Sequence, residues 1–266
     1  MKELKNKVVW ITGASSGIGE ALAHAFAKLG SKVVLSSRKE ADLKKVVSDA
    51  GLGEEDCLVV PLDLEKYDGY EVLAAEVMAK FGRIDVLINN GGVSQRSYFA
   101  ETELGVFERI MKINFMGTVA LTKAVLPFMA AQRSGVLVTV SSVTGKFGTP
   151  LRTGYAGSKH AVVGFYDALR AEVWKDGLEV LIVCPGYIKT KLSLNAFMGD
   201  GSLQGKMDSG QKNGLSPELC AHKIISAIKK GKREIYPGGF KEVAGVYLKR
   251  FFPALMAKVV RKVNVR

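Results

Sequence analysis

The sequence predicts an α/β fold: a single doubly wound parallel sheet of about seven strands with helices on both faces. Three observations predict it. Short apolar runs alternate with longer segments of helical periodicity along nearly the whole chain, the pattern of successive βαβ units. Those runs are continuous Val/Ile/Leu stretches, as strands buried on both faces require. The first junction between such a run and a helical segment is rich in glycine.

The elements follow in order. Lys7 to Ile11 is a β-branched first strand, and Gly17 to Leu29 carries small and apolar residues at helical spacing until Gly30. Lys32 to Leu35 is the second strand, Ala41 to Ala50 a helix, and Cys57 to Pro61 the third strand. Tyr70 to Phe81 is helical and Ile84 to Ile88 is the fourth strand. Leu104 to Met129 reads as one long helix with Pro127 near its end. Gly135 to Val140 is the fifth strand, Tyr155 to Trp174 a helix, and Val180 to Cys184 the sixth strand. Pro217 to Lys229 is a helix, with Ser216 as N-cap and Pro217 at its first position. Glu234 to Tyr236 is a short seventh strand.

The 266 residues are 47% hydrophobic and 24% charged, which excludes disorder, collagen-like repeats and a disulfide scaffold. Cys57, Cys184 and Cys220 are far apart, which fits a reducing compartment and excludes a zinc ribbon. The N-terminus runs straight into a strand with no signal-like apolar region. No apolar run approaches the ~18 residues that span a bilayer, so the expectation is a soluble cytoplasmic protein. The formal charge of +12 raises nucleic acid or a membrane surface as partners. No motif supports nucleic acid.

Thr12-Gly13-Ala14-Ser15-Ser16-Gly17-Ile18-Gly19 occupies the first strand–helix junction. Glycine lets the backbone turn there and approach a ligand, and the following helix points free N–H groups at an anion. Placed after a strand and before a helix, the string marks a dinucleotide site in a sheet of Rossmann type. Gly13 to Gly17 also matches G-x-S-x-G, with Ser15 as a hydrolase nucleophile. Against that, the elbow normally comes later in the chain, and nothing joins His24, His160 or His222 to this serine. After the second strand stand Ser36-Ser37-Arg38-Lys39, with no carboxylate. An acid there suits a free ribose 2′-OH and an arginine suits a 2′-phosphate. Ser37 and Arg38 therefore point to NADP(H).

Tyr155 and Lys159, four apart, share one helix face. A free tyrosine has a pKa of ~10, too high for acid–base work near neutrality. A fixed ammonium and an oxidised nicotinamide nearby favour phenolate. Ser141-Ser142 ends the fifth strand, and Ser142 lies 13 residues before Tyr155. Hydroxyl and phenol can then meet at the carboxyl edge of the sheet, where such folds bind ligands.

With these residues in place the chain resembles the short-chain dehydrogenase/reductase family. The matching motifs are Thr12-Gly13-x-x-x-Gly17-x-Gly19, Asp63-Leu64, Asn89-Asn90-Gly91-Gly92, Asn114, Ser142, Tyr155-x-x-x-Lys159 and Pro185-Gly186-x-x-x-Thr190. They cover roughly residues 5 to 236 in the family's order. Arg38 resembles the NADP-preferring branch, and residues 89 to 97 are most similar to the dehydrogenase/reductase member 7 type.

The resemblance implies roles. Tyr155 is the general acid in reduction and base in oxidation, and Lys159 lowers its pKa and holds the nicotinamide ribose. Ser142 bonds the substrate carbonyl, and Asn114 positions a water in a proton relay reaching Lys159. Asp63 and Leu64 contact the adenine, Asn90 supports the strand edge beside the cofactor, and Gly91 is a further cofactor contact. Ile188 and Thr190 bind the carboxamide side of the nicotinamide, and Pro185 and Gly186 are further cofactor contacts. A homodimer or homotetramer is also implied. The family commonly has alanine where this chain has Gly91, and the missing methyl is expected to loosen that loop slightly.

Residues 191 to 215, with five glycines, read as a substrate lid. Leu192, Leu194, Phe197, Met198 and Leu203 would give it an apolar inner face. Val143, Phe147, Tyr187 and Phe99 complete the expected pocket, which suits an apolar or bulky carbonyl or alcohol. The histidines lack metal-ligand spacing, Cys184 reads as a small buried side chain, and Trp10 and Trp174 as core or interface residues. Residues 1–240 form the expected catalytic domain and 241–266 a basic extension. The extension has seven basic residues and one acid, interleaved with apolar ones and broken at Pro253. It suits an anionic membrane surface, another subunit, or a cap on the domain. A cofactor-binding, membrane-associated scaffold with little turnover is the alternative to an enzyme.

Overall fold

The computed structural model describes residues 2–263. Its strands are β1 (Val8–Thr12), β2 (Lys32–Ser36), β3 (Cys57–Val59), β4 (Val86–Asn89), β5 (Gly135–Val140), β6 (Leu178–Val183) and β7 (Glu234–Ile235). All pair in parallel, in the order β3-β2-β1-β4-β5-β6-β7. Thr12 lies beside Ser36, and Asn89 beside Thr139. The strand order reverses between β1 and β4, and a crevice opens outside their carboxyl ends.

The helices are α1 (Gly17–Lys28), α2 (Glu40–Asp49), α3 (Tyr70–Phe81), α4 (Leu104–Met111), α5 (Gly117–Gln132), α6 (Thr153–Val173), α7 (Ser209–Lys212), α8 (Pro217–Lys229), α9 (Phe240–Phe251) and α10 (Pro253–Val260). Successive strand side chains point to opposite faces. Val9 and Ile11 of β1 thus pack with Leu22 and Phe26 of α1, Leu43 of α2 and Ile224 of α8. Val8 and Trp10 pack with Val77 of α3, Val125 of α5 and Tyr166 of α6. Each such side chain contributes roughly 1.5–3 kcal/mol when fully buried. Trp10 also donates Nε1–H to Ser36 Oγ at 2.8 Å. Trp174, expected in the core or an interface, is 64% exposed at the end of α6. All three cysteines are free and buried.

The long helix expected over Leu104 to Met129 carries a π-helical turn at Lys112–Met116, between α4 and α5. The extra residue in that turn is invisible in hydrophobic spacing, and Asn114 sits inside it. The helical run from Leu104 to Gln132 spans 29 residues with a mean hydropathy of 1.4. Against the sequence expectation, this is long and apolar enough to cross a bilayer. Here Leu121, Val125 and Met129 pack against the sheet as core.

Residues 191–215 are seated on the body. Phe197 accepts from Arg96 N–H at 2.8 Å and donates to Ser94 O at 2.9 Å. Its ring is buried with Val106, Ile110 and Ile113. Of the five residues expected to face inward, Leu203 instead is 57% exposed. In the extension, Val246 of α9 and Met256 of α10 pack on Val143 and Phe147, and Pro253 opens α10. Phe240, Phe251 and Phe252 are left exposed. Met1 and the last residues of the expected extension, 264–266, lie outside the described residues.

Candidate active site

The glycine string builds the crevice floor. Gly13 and Gly17 have φ of +63° and +60°, which side chains other than glycine's rarely adopt. A Cβ on Gly13 would stand 2.8 Å from Gly91 Cα, and one on Gly17 2.9 Å from Thr190 Cγ2. Ser16 caps α1 without a side-chain hydrogen bond, so first-turn N–H groups remain for an anion.

The cleft has a volume of about 300 Å3. Its wall carries Gly13, Ser15, Ser16, Gly17, Ile18, Ser37, Arg38, Asp63, Leu64, Asn90 and Gly91. It also carries Ser142, Tyr155, Lys159, Pro185, Gly186, Ile188 and Thr190. Because β2 and β5 flank β1 and β4, Arg38 and Ser142 lie towards opposite sides of the crevice. Thr12, Gly19 and Asn114 stand behind the wall. Thr12 Oγ1 accepts from the N–H groups of Asn90 at 2.9 Å and Gly91 at 3.0 Å. A Cβ on Gly19 would stand 2.2 Å from Gly13 O, so α1 must approach as glycine. Asn90 Nδ2 donates to Thr12 O at 3.0 Å.

At Gly91 the space of the missing methyl is occupied. Leu64 Cδ1 lies 2.6 Å from where a Cβ would be, so the leucine fills that space.

The Arg38 side adjoins a wider groove of about 1320 Å3 between α1, α2 and α8. Eight cations, Arg38 and seven lysines, edge it against four carboxylates. Ser15 lines both spaces, and among the described residues no histidine is hydrogen-bonded to it. The hydrolase elbow therefore lacks its base.

Ser142, Tyr155 and Lys159 come from the end of β5 and the first turns of α6. Ser142 Oγ accepts from Thr144 N–H at 3.1 Å and donates to Pro185 O at 3.4 Å. Lys159 Nζ donates to Val140 O at 2.9 Å and lies 5.9 Å from the Tyr155 ring centre. Burial pushes the Lys159 ammonium down to about 8. Burial also raises the Tyr155 hydroxyl. The influences opposing that rise are Arg152, the Ser142 hydrogen bond, Arg96 and a hydrogen bond from Thr144. Burial pushes the Cys184 thiol up to about 12, as suits an inert side chain.

Asn114 Nδ2 donates to Val93 O and to Ser158 Oγ, both at 2.9 Å, and Oδ1 accepts from Val93 N–H at 2.8 Å. A Cβ on Gly92 would stand 2.9 Å from Asn114 Oδ1 and 3.5 Å from Lys159 Nζ. Asn114 Oδ1 and Lys159 Nζ therefore both lie close to Gly92.

Of the pocket residues expected from sequence, Val143, Phe147, Tyr187 and Phe99 do not line the cleft. Val143 and Phe147 are packed under α9 and α10, and Phe99 is 72% exposed. The apolar wall is Leu64, Val93, Ile113, Val140, Ile188 and Leu192.

Other residues that build this geometry were given no role from the sequence. Gln95 Oε1 accepts from Gly154 N–H at 2.7 Å and from Tyr155 N–H at 3.3 Å. Arg96 and Arg152 meet Asp208 from the 191–215 segment. Gln211 Oε1 accepts from Ser193 N–H at 2.9 Å.

Comparison with known proteins gives a consistent picture. The family model of short chain dehydrogenases matches residues 7–199. The chain is 42% identical over 266 residues to an Anopheles gambiae dehydrogenase/reductase SDR family protein 7-like, covering 98% of this chain and 84% of that protein. It is 38% identical over 256 residues to human dehydrogenase/reductase SDR family member 7, covering 94% and 76%. Among solved structures, a Burkholderia phymatum short chain dehydrogenase/reductase in complex with NAD superposes with a TM-score of 0.84. That pair shares 25% identity over 96% of each chain.

Proposed function

The chain belongs to the short-chain dehydrogenase/reductase family of oxidoreductases, and on that premise we propose that it interconverts a carbonyl and a secondary alcohol using NADP(H). The observation that carries the reading is one cleft holding Ser142, Tyr155 and Lys159 together with the glycine turn and Arg38. The turn fits a pyrophosphate, because a Cβ at Gly13 or Gly17 would collide and the start of α1 presents free N–H groups. Ser37 and Arg38 hold the 2′-phosphate, and the cations of the adjoining groove draw in a polyanion. The Burkholderia relative holds NAD, so the preference for NADP(H) rests on Arg38.

When bound, the cofactor supplies the hydride. Ser142 Oγ bonds the substrate oxygen, and Tyr155 donates its proton to that oxygen in reduction or takes it in oxidation. Lys159 binds the nicotinamide ribose and receives the proton's path from solvent. A water held between Asn114 Oδ1 and Lys159 Nζ, which both lie close to Gly92, links them in a relay. Asp63 and Leu64 bound the adenine, and Ile188 and Thr190 the carboxamide. The wall from Val93 to Leu192 selects an apolar or bulky substrate.

NADPH oxidation across ketones, aldehydes, steroids and 3-oxoacyl thioesters tests this reading. Turnover of at least one class supports it. Tight NADPH binding with no turnover of any would favour the scaffold alternative.

The extension supports a second contact. Phe240, Tyr247, Phe251, Phe252 and Leu255 are exposed beside Lys241, Lys249, Arg250 and Lys258, a face suited to an anionic bilayer surface. Cosedimentation with anionic but not neutral vesicles supports that contact. A dimer held by the same face is the competing outcome.

A further inference from the structure

We propose that Arg152 is a positioning residue for Tyr155. With Arg96 and Asp208 it forms a buried cluster carrying one unbalanced positive charge, and that charge stabilises the Tyr155 phenolate. The proposal rests on the reading of Tyr155 as the acid–base group.

The three side chains come from separate parts of the chain. Arg96 follows β4, Arg152 precedes α6, and Asp208 belongs to the 191–215 segment. They are 2%, 6% and 3% exposed. Arg96 Nε donates to Asp208 Oδ2 at 2.8 Å, and its Nη2 reaches the same oxygen. Arg152 Nη2 is 3.5 Å from that oxygen. Asp208 Oδ1 is taken by Gln204 Nε2 at 3.0 Å. Two guanidiniums therefore share one carboxylate. Arg152 Nε is buried with no hydrogen-bond partner among the described residues. Burial and Arg96 both disfavour the charge on Arg152, yet a guanidinium does not give up its proton in a protein.

A second anion near this cluster would restore neutrality, and Tyr155 is placed to become it. Arg152 is the N-cap of α6 and Tyr155 stands in its first turn, three residues on, where Ala156 N–H donates to Arg152 O at 2.7 Å. The charged and titratable groups around Tyr155 are Arg152, Arg96, Asp208 and Lys159, with Tyr187 5.5 Å from Arg152 Cζ. Cys184 lies beyond Lys159, towards Lys146 and Glu234. Lys159 is held on Val140 O. When Tyr155 gives up its proton, the charge appears in a dry site, where burial alone opposes it. Among the opposing influences Arg152 is the largest and Arg96 a smaller one. Because Asp208 sits on the segment over the cleft, seating that segment also sets the net charge Tyr155 meets.

The test is the pH titration of Tyr155 in protein labelled with 13Cζ-tyrosine and saturated with NADP+. The resonance missing in Tyr155→Phe identifies it. Arg152→Gln should raise the midpoint by about one pH unit or more. Asp208→Asn, which removes the balancing carboxylate, should lower it. Arg152→Lys, which keeps the charge, should restore the wild-type curve. If Arg152→Gln fails to fold, the downward shift in Asp208→Asn decides. The same curve in every folded variant, or no titration in any below about pH 11, overturns the proposal. Turnover of Tyr155→Phe is measured beside it. Retained turnover sinks the acid–base reading, whereas a dead Tyr155→Phe with unmoved titrations sinks only the role of Arg152.

Discussion

Gln95 holds the backbone of Tyr155: its Oε1 accepts the Tyr155 N–H at 3.3 Å and the preceding Gly154 N–H at 2.7 Å. A side chain in the loop after β4 thus satisfies the first turn of α6, the turn that aims the phenol into the cleft. Gln95 is fully buried, so Gln95→Met leaves those N–H groups unpaired. We expect a loss of about 1–3 kcal/mol in urea unfolding, with reduced turnover and unchanged NADPH affinity. Unchanged turnover would show that the cap does not position Tyr155.

Arg38 tests the choice of cofactor. Arg38→Ala should weaken NADPH by at least about tenfold, or ~1.4 kcal/mol, and leave NADH nearly untouched. Fluorescence titration with both cofactors checks this. Equal losses would remove the 2′-phosphate from Arg38.

Gly92 tests the relay. In Gly92→Ala the new methyl would stand 2.9 Å from Asn114 Oδ1 and 3.5 Å from Lys159 Nζ, crowding the two groups assigned to the relay. Turnover should fall on the order of 100-fold while NADPH still binds. Full activity in that variant would place the proton path elsewhere.

Lys159 predicts a pH effect on stability with a definite sign. Its folded value, about 8, lies below the 10.5 of a free lysine. Between those values the unfolded chain holds a proton that the folded chain has released, so this group's contribution to stability rises with pH. Below about 8 both states are protonated and the cost of the buried charge is fully present. The stability of wild type relative to Lys159→Met should rise by on the order of 3 kcal/mol from pH 8 to 10.5. A flat difference would mean that Lys159 is not desolvated.

What was legible in the sequence was local. The turn from Thr12 to Gly19, Ser142 after its strand, and the four-residue step from Tyr155 to Lys159 depend on short spacings that strand and helix geometry translate directly into position. The supports of that site were not legible. Arg96 meets Asp208 across 112 residues, and Gln95 meets Gly154 across 59. Such pairings depend on the strand order, which no single segment encodes. The π turn around Asn114 left the apolar pattern of its helix unbroken. Leu203 and Phe99 were expected to face the substrate and turned outward, because an irregular segment has no period from which to read direction. Leu64 was expected as an adenine contact, while its packing on Gly91 became visible only once the two loops were brought together.

The central claim is that Tyr155 transfers the proton while the remainder of the cleft binds the cofactor. The measurement that tests it most directly is steady-state turnover of Tyr155→Phe beside its NADPH dissociation constant. The account predicts abolished turnover, with NADPH binding within about twofold of wild type, a difference under ~0.5 kcal/mol. Turnover comparable to wild type in that variant would contradict it.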